Sequence, residues 1–173
     1  MPSYLAFKFD KMKKQTLTTI LLLCLAAFAF GQLSIKNPTV EFRKNPIGLD
    51  EQLPRFSWMV DAGGRRNVMQ SYYEIRVGTD GDALKKGKQI LWTSGRTKSE
   101  SSVLVAYGGP KLQPSTRYFW QVRVWDNAGQ VTLWSEQCYW QTGLLETANW
   151  KAQWIGLNYK EDSLKWPSPM FRR

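Results

Sequence analysis

The sequence predicts an all-β fold, an antiparallel β-sandwich, and three observations lead to this prediction. Aromatic residues make up 14% of the 173 residues, with nine tryptophans, and aromatic side chains favour strands. Short segments alternate between apolar and polar residues, and turn-forming residues separate them at a spacing of about ten residues. No segment shows a convincing 3.6-residue apolar period, so no amphipathic helix is predicted.

Residues 1–31 are predicted to be a secretory signal peptide. A largely apolar run, 17–30, is followed by Gly31 and preceded by a basic start formed by Lys11, Lys13 and Lys14. A transmembrane anchor is disfavoured because the run is too short and no charged stop follows it. We expect cleavage near Gly31, with Met1 or Met12 as the initiating residue. The mature protein would then be secreted or periplasmic and free of the membrane.

Neither of the two cysteines, Cys24 and Cys138, is predicted to be lipidated, disulfide-bonded or catalytic. Leu23 stands before Cys24, where a lipid-attachment signal needs a small residue, so lipidation is disfavoured. Cleavage would leave Cys138 as the only cysteine, which excludes an intrachain disulfide. The position of Cys138 in a predicted, half-buried strand favours a packed small side chain over a nucleophile.

Residues 32–144 are predicted to form one sandwich domain. Before residue 110, the candidate strands are the alternating or apolar segments 55–60, 71–79, 90–92 and 103–105. Trp58 lies at core parity in the first of them. Glycine- and proline-containing turns separate these segments, as in Gly63-Gly64 and Gly108-Gly109-Pro110.

Residues 116–135, TRYFWQVRVWDNAGQVTLWS, predict a long strand and a turn at Asp126-Asn127-Ala128-Gly129. A return strand is predicted around Cys138-Tyr139-Trp140. Tyr118 follows a Leu112-x-Pro114-x-Thr116 loop, which is the position of the tyrosine corner in Greek-key sandwiches. Its ring is expected to pack inside while its hydroxyl bonds the loop backbone. The residues predicted to have structural roles are Trp58, Tyr118, Trp120, Val122 and Val124.

This arrangement, without a disulfide, favours a fibronectin type III or immunoglobulin-like β-sandwich. The absence of histidine excludes Ser-His-Asp and Cys-His triads and histidine-bound metals. No phosphate-binding glycine motif occurs, and no carboxylate pair stands out as a glycosidase acid and base. No catalytic, metal-binding or cofactor-binding residue is therefore predicted. The net charge is +10, but the basic residues are scattered, which indicates a solvated surface and no nucleic-acid partner.

The tryptophans leave an alternative open. Exposed, coplanar aromatic rings on a sandwich can stack on sugars, as in carbohydrate-binding modules. Trp120 and Trp140 lie at core parity, whereas Trp125 and Trp134 flank the turn, and Trp92, Trp150 and Trp154 could cover a domain interface. Core or interface roles are favoured over a sugar platform. A fibronectin-like interaction module with no link to sugars remains a third hypothesis.

Several segments, in order, resemble bacterial α-L-rhamnosidases of glycoside hydrolase family 78. The matching segments are NPIGLD (45–50), PRFSW (54–58), YEIRV (73–77), LWTSGR (91–96), TRYFWQVRVWD (116–126) and WKAQWIG (150–156). The resemblance implies a secreted enzyme that releases terminal α-L-rhamnose with inversion. In such enzymes the two catalytic acids lie in an (α/α)6 barrel, so no catalytic residue is carried over to this chain.

The resemblance also implies a role for the domain and its neighbours. Residues 32–144 would be the first, fibronectin-like sandwich of such an enzyme. Residues 145–173 would be an aromatic linker and the first residues of a truncated second sandwich. The expected partners are later domains of the same enzyme and, through the parent enzyme, rhamnose-containing glycans.

Overall fold

The computed structural model describes residues 32–153 and shows an immunoglobulin-like β-sandwich. The predicted signal peptide, Trp154 and the predicted start of a second domain lie outside the described residues. The strands are β1 (Ser34–Val40), β2 (Ile47–Leu49), β3 (Arg55–Asp61), β4 (Gln70–Gly78), β5 (Ile90–Thr93), β6 (Thr97–Lys98), β7 (Val105–Ala106), β8 (Arg117–Asp126) and β9 (Cys138–Thr142).

The strands form two sheets. The smaller sheet has the order β1-β3-β7, with both pairs antiparallel. The larger sheet has the order β2-β9-β8-β4-β5, and β6 also pairs with β4. All its pairs are antiparallel except β2 with β9, which is parallel. Two sheets with inward-facing apolar residues are the expected architecture for an alternating sequence of this kind.

Two short helices complete the described part, and the first corrects the expectation of no helix. Helix α1 (Gly81–Lys85) begins after Asp80, whose carboxylate accepts hydrogen bonds from the backbone N–H groups of Asp82 and Ala83. Such a cap satisfies donors that the first helical turn leaves free. A helix of five residues is too short to display a 3.6-residue period, which is why the pattern did not reveal it. A 3-10 helix follows β9 at Thr147–Asn149.

The core lies between the sheets and is built from aromatic rings. Trp58, Trp120 and Trp140 are buried. The Phe56 ring lies 4.5 Å from that of Trp120 and 5.6 Å from that of Trp140, centroid to centroid. Val122 and Val124 are fully buried on the same face of β8 as Trp120. Close packing of large rings supplies apolar burial that an isolated domain without a disulfide requires.

Tyr118 makes the contact that defines a tyrosine corner. Its ring is 2% exposed and stacks on Trp140 at 5.1 Å. Its hydroxyl oxygen accepts a hydrogen bond from the backbone N–H of Gln113 at 2.8 Å. This hydrogen bond therefore ties the loop before β8 to the beginning of that strand.

The Tyr118→Phe variant is expected to fold and to lose about 1 kcal/mol of unfolding free energy. It keeps the stacked ring but leaves the Gln113 N–H without its acceptor. Urea denaturation of the two proteins measures the difference. An unchanged midpoint would show that the hydroxyl contributes nothing to stability and would count against the corner assignment.

Candidate functional site

An apolar groove lies at the end of the sandwich from which the chain leaves the domain. It has a volume of about 350 Å³ and is lined by Asp50, Leu144, Leu145, Glu146, Thr147 and Trp150. Trp150, the largest apolar side chain of the groove, is 57% exposed. The groove therefore presents aliphatic and aromatic surface directly beside the point where the chain continues.

Backbone bonds from three parts of the chain fix the floor of this groove. The N–H of Gly143 donates to the carbonyl of Leu49, and the N–H of Ser115 donates to the carbonyl of Gly143. Leu145 has a φ of 64°, a left-handed conformation that non-glycine residues adopt at some energetic cost. This turn directs residues 146–150 across the end of the sandwich.

Side-chain bonds hold the rim formed by residues 146–150. Lys111 donates to the Glu146 carboxylate at 2.7 Å, and this hydrogen bond lowers the pKa of Glu146. The Asn149 side-chain amide donates to the carbonyl of Leu144 at 2.6 Å. Both ends of the rim are thus anchored to the domain, while the ring of Trp150 stays exposed.

A second feature is a stack of arginine and tryptophan side chains on the outer face of the larger sheet. Two guanidinium groups lie over the Trp134 ring, Arg76 at 4.0 Å and Arg123 at 4.6 Å from its centroid. Arg123 also lies 5.0 Å from the ring of Trp125, and Arg96 lies 4.9 Å from that ring. Guanidinium groups are attracted to aromatic faces, most strongly to tryptophan.

Hydrogen bonds and burial fix the arginines of this stack. Arg123 pairs with the Glu74 carboxylate at 2.7 Å, and Arg76 donates to the side-chain oxygen of Gln121 at 2.7 Å. Burial lowers the pKa of Arg76, and the nearby charge of Arg123 lowers it further. The guanidinium of Arg76 is therefore a buried cation whose main neighbours are an amide oxygen and the Trp134 ring.

Residues 131–137 form a strap that runs beside the C-terminal half of β8 and carries Trp134. The hydroxyls of Thr132 and Ser135 accept the backbone N–H groups of Val124 and Val122, both at 3.1 Å. In return, the N–H groups of Thr132 and Ser135 donate to the carbonyls of Val124 and Val122. The two hydroxyls thus take the place of the carbonyl acceptors that a neighbouring strand would supply. They satisfy the N–H groups of β8 in the part that is not paired with β9.

The structure also places Trp92, Trp125 and Trp134, whereas Trp154 lies outside the described residues. Trp92 is partly buried, with its ring 5.0 Å from that of Tyr107. Trp125 and Trp134 are partly exposed on the outer sheet face. Rings that already carry two guanidinium groups offer little surface for stacking on a sugar. Neither the stack nor the groove was predicted, although arginine and aromatic residues at the polar parity of β8 were a visible signal for the stack.

Asp126, Glu41 and the cysteine are engaged in structural contacts. Asp126 accepts the N–H groups of Ala128 and Gln130 in the turn, as the sequence predicts. Glu41 pairs with Arg55 at 2.7 Å. Cys138 is 2% exposed, and burial raises the pKa of its thiol to about 11. At neutral pH this thiol is protonated and behaves as a packed small side chain.

Among residues 32–153, no group of three or more potential metal ligands from aspartate, glutamate, cysteine or histidine comes together. Within the same range, no helix has the length and apolar character needed to cross a membrane.

Comparisons with curated proteins connect the domain to larger enzymes. An α-L-rhamnosidase of Streptomyces avermitilis is 45% identical over 125 residues, which are 71% of this chain and 12% of that enzyme. An α-L-rhamnosidase of Formosa agariphila is 37% identical over 146 residues, covering 79% of this chain and 15% of that enzyme. The chain thus spans about an eighth of the length of these relatives.

A solved structure and a family model agree with this match. The crystal structure of the Streptomyces avermitilis α-L-rhamnosidase complexed with L-rhamnose aligns with a TM-score of 0.68 and 42% identity, over 72% of this chain and 12% of that one. The family model described as "Rha78A-like, N-terminal immunoglobulin domain" matches residues 35–146. The chain therefore belongs to the family of N-terminal immunoglobulin-like domains found in α-L-rhamnosidases.

Proposed function

We propose that this domain is the N-terminal accessory domain of a secreted α-L-rhamnosidase-like glycoside hydrolase, and that its role is structural. It packs against later domains of that enzyme and positions them. The observation that carries this proposal is the apolar groove with the exposed Trp150, which lies where the chain leaves the sandwich. We take this exposed apolar surface as the contact with a later domain, because apolar surface beside a domain boundary is suited to interdomain packing.

The hydrolysis itself belongs, in this proposal, to a different part of the parent enzyme. The parent would release terminal α-L-rhamnose with inversion, using two acids in an (α/α)6 domain. The names of the relatives and the family match support the link to rhamnosidases. Within the described residues, Glu41 and Glu74 serve ion pairs, Asp126 a turn and Asp80 a helix cap, which is consistent with a structural role for these carboxylates.

Titration with L-rhamnose tests the structural role against sugar binding. We expect no saturable change in tryptophan fluorescence and no hydrolysis of an aryl α-L-rhamnoside by this chain alone. A saturable change that is lost in Trp134→Ala or Trp150→Ala would instead favour a carbohydrate-binding module.

The proposed secretion rests on the pattern of residues 1–31. N-terminal sequencing of protein exported by a bacterial host is expected to begin at or next to Gln32. Protein retained in the cell with its first residues intact would contradict the signal peptide.

A further inference from the structure

We infer that the groove at the end of the sandwich receives an arginine side chain from the domain that follows, with Asp50 as its ion-pair partner. The inference rests on the proposed function, and it specifies the chemistry of the contact. Asp50 and Glu146 are the two carboxylates of the groove. Glu146 already pairs with Lys111, whereas no cation among the described residues pairs with Asp50.

The absence of a side chain at position 143 makes room for the Asp50 carboxylate. A Cβ on Gly143 would collide with the Oδ1 atom of Asp50. Gly143 is fixed from both sides by its backbone bonds to Leu49 and Ser115. The carboxylate therefore lies against the floor of the groove, next to the aliphatic side chains that line it.

The other walls of the groove fit the remaining parts of an arginine. Leu144 and Leu145 provide aliphatic surface for its methylene groups, and the exposed Trp150 ring provides a face for a guanidinium group. Arginine fits better than lysine because its planar group stacks on aromatic rings and is more weakly hydrated. The groove, with a volume of about 350 Å³, is open to solvent along its length, so a side chain from a neighbouring domain can lie in it.

The charge of the site selects a cation over a neutral apolar group. Asp50 is exposed in the isolated domain. An apolar side chain from a partner would cover it without a counter-charge, which is costly to the extent that the carboxylate loses water. An acidic partner would be repelled. The groove therefore specifies an occupant with an apolar stem and a cationic, planar end.

The test is an NMR titration of the full chain with Nα-acetyl-arginine methylamide and, separately, with the corresponding citrulline derivative. Citrulline has nearly the same shape as arginine but is neutral. We expect saturable shifts of the Trp150 indole and the amides of residues 143–147 with arginine, and much weaker shifts with citrulline. Asp50→Asn is expected to weaken arginine binding about two- to fivefold, the range for an exposed ion pair.

Glu51→Gln is the matched control, because it removes a neighbouring negative charge that does not line the groove. It should leave arginine binding unchanged.

Equal binding of citrulline, retained affinity in Asp50→Asn, or no saturable shift at the groove would each overturn the inference. Groove shifts that follow protein concentration instead of arginine would also overturn it, because a second copy of the chain would then be the occupant. None of these results would by itself overturn the structural role, which is tested separately in a chimaeric enzyme.

Discussion

Replacing Trp120 with alanine is expected to lower the free energy of unfolding by about 3–5 kcal/mol, the range for large buried aromatic residues. Trp120 is fully buried in β8, opposite Val77 of β4 and Cys138 of β9. Its ring packs 4.5 Å from that of Phe56 across the sandwich. Removal of the ring would open a cavity between the two sheets, which close-packed neighbours could fill only in part.

Urea denaturation of Trp120→Ala measures this loss. Trp150→Ala makes the same chemical change at a position that is 57% exposed, and its cost in the isolated chain should stay below about 1 kcal/mol. Similar midpoints for the two variants would mean that the aromatic core does not stabilise the domain as described. If Trp120→Ala does not fold, the more conservative Trp120→Phe should show a smaller loss of the same sign.

Replacing Trp134 with alanine is expected to lower the free energy of unfolding by about 2–3 kcal/mol. Two cation–π contacts would be lost, each about 0.5–1 kcal/mol and more where desolvated. Arg76 is only 7% exposed, and its guanidinium would lose its stacking surface. Because Trp134 anchors the strap over β8, the amides of Val122 and Val124 should also exchange faster, since they donate to hydroxyls of that strap.

Leu133→Ala is the control for Trp134→Ala. Leu133 is the adjacent residue of the strap and is 81% exposed. Its replacement should lower the free energy of unfolding by less than about 0.5 kcal/mol. Denaturation midpoints and amide exchange of both variants test the role of the stack. Equal stability and unchanged exchange at Val122 and Val124 in Trp134→Ala would contradict it.

The strands and core were predictable because their residues alternate. Tyr118, Trp120, Val122 and Val124 lie at every second position of β8, and one buried face follows directly from that period. The turn at Asp126 was predictable because its side chain bonds the local backbone. Such local rules need no knowledge of distant contacts.

The strap, the stack and the groove depend on contacts that local patterns do not contain. Residues 131–137 alternate like a strand, but the hydroxyls of Thr132 and Ser135 replace its carbonyl acceptors. The groove combines Asp50 with residues 144–150, which the parallel pairing of β2 with β9 brings together. A helix as short as α1 shows no apolar period in its sequence.

In the proposed role, this domain stabilises an enzyme by packing against its later domains. The most direct test replaces the matching N-terminal segment of the Streptomyces avermitilis α-L-rhamnosidase with residues 32–153 of this chain. The measurement is thermal unfolding of this chimaera with and without Trp150→Ala. We expect the change to lower the unfolding temperature of the chimaera by several degrees, well beyond its effect on the isolated chain. Equal unfolding temperatures for the two chimaeras would contradict the claim that this end of the sandwich is an interdomain surface.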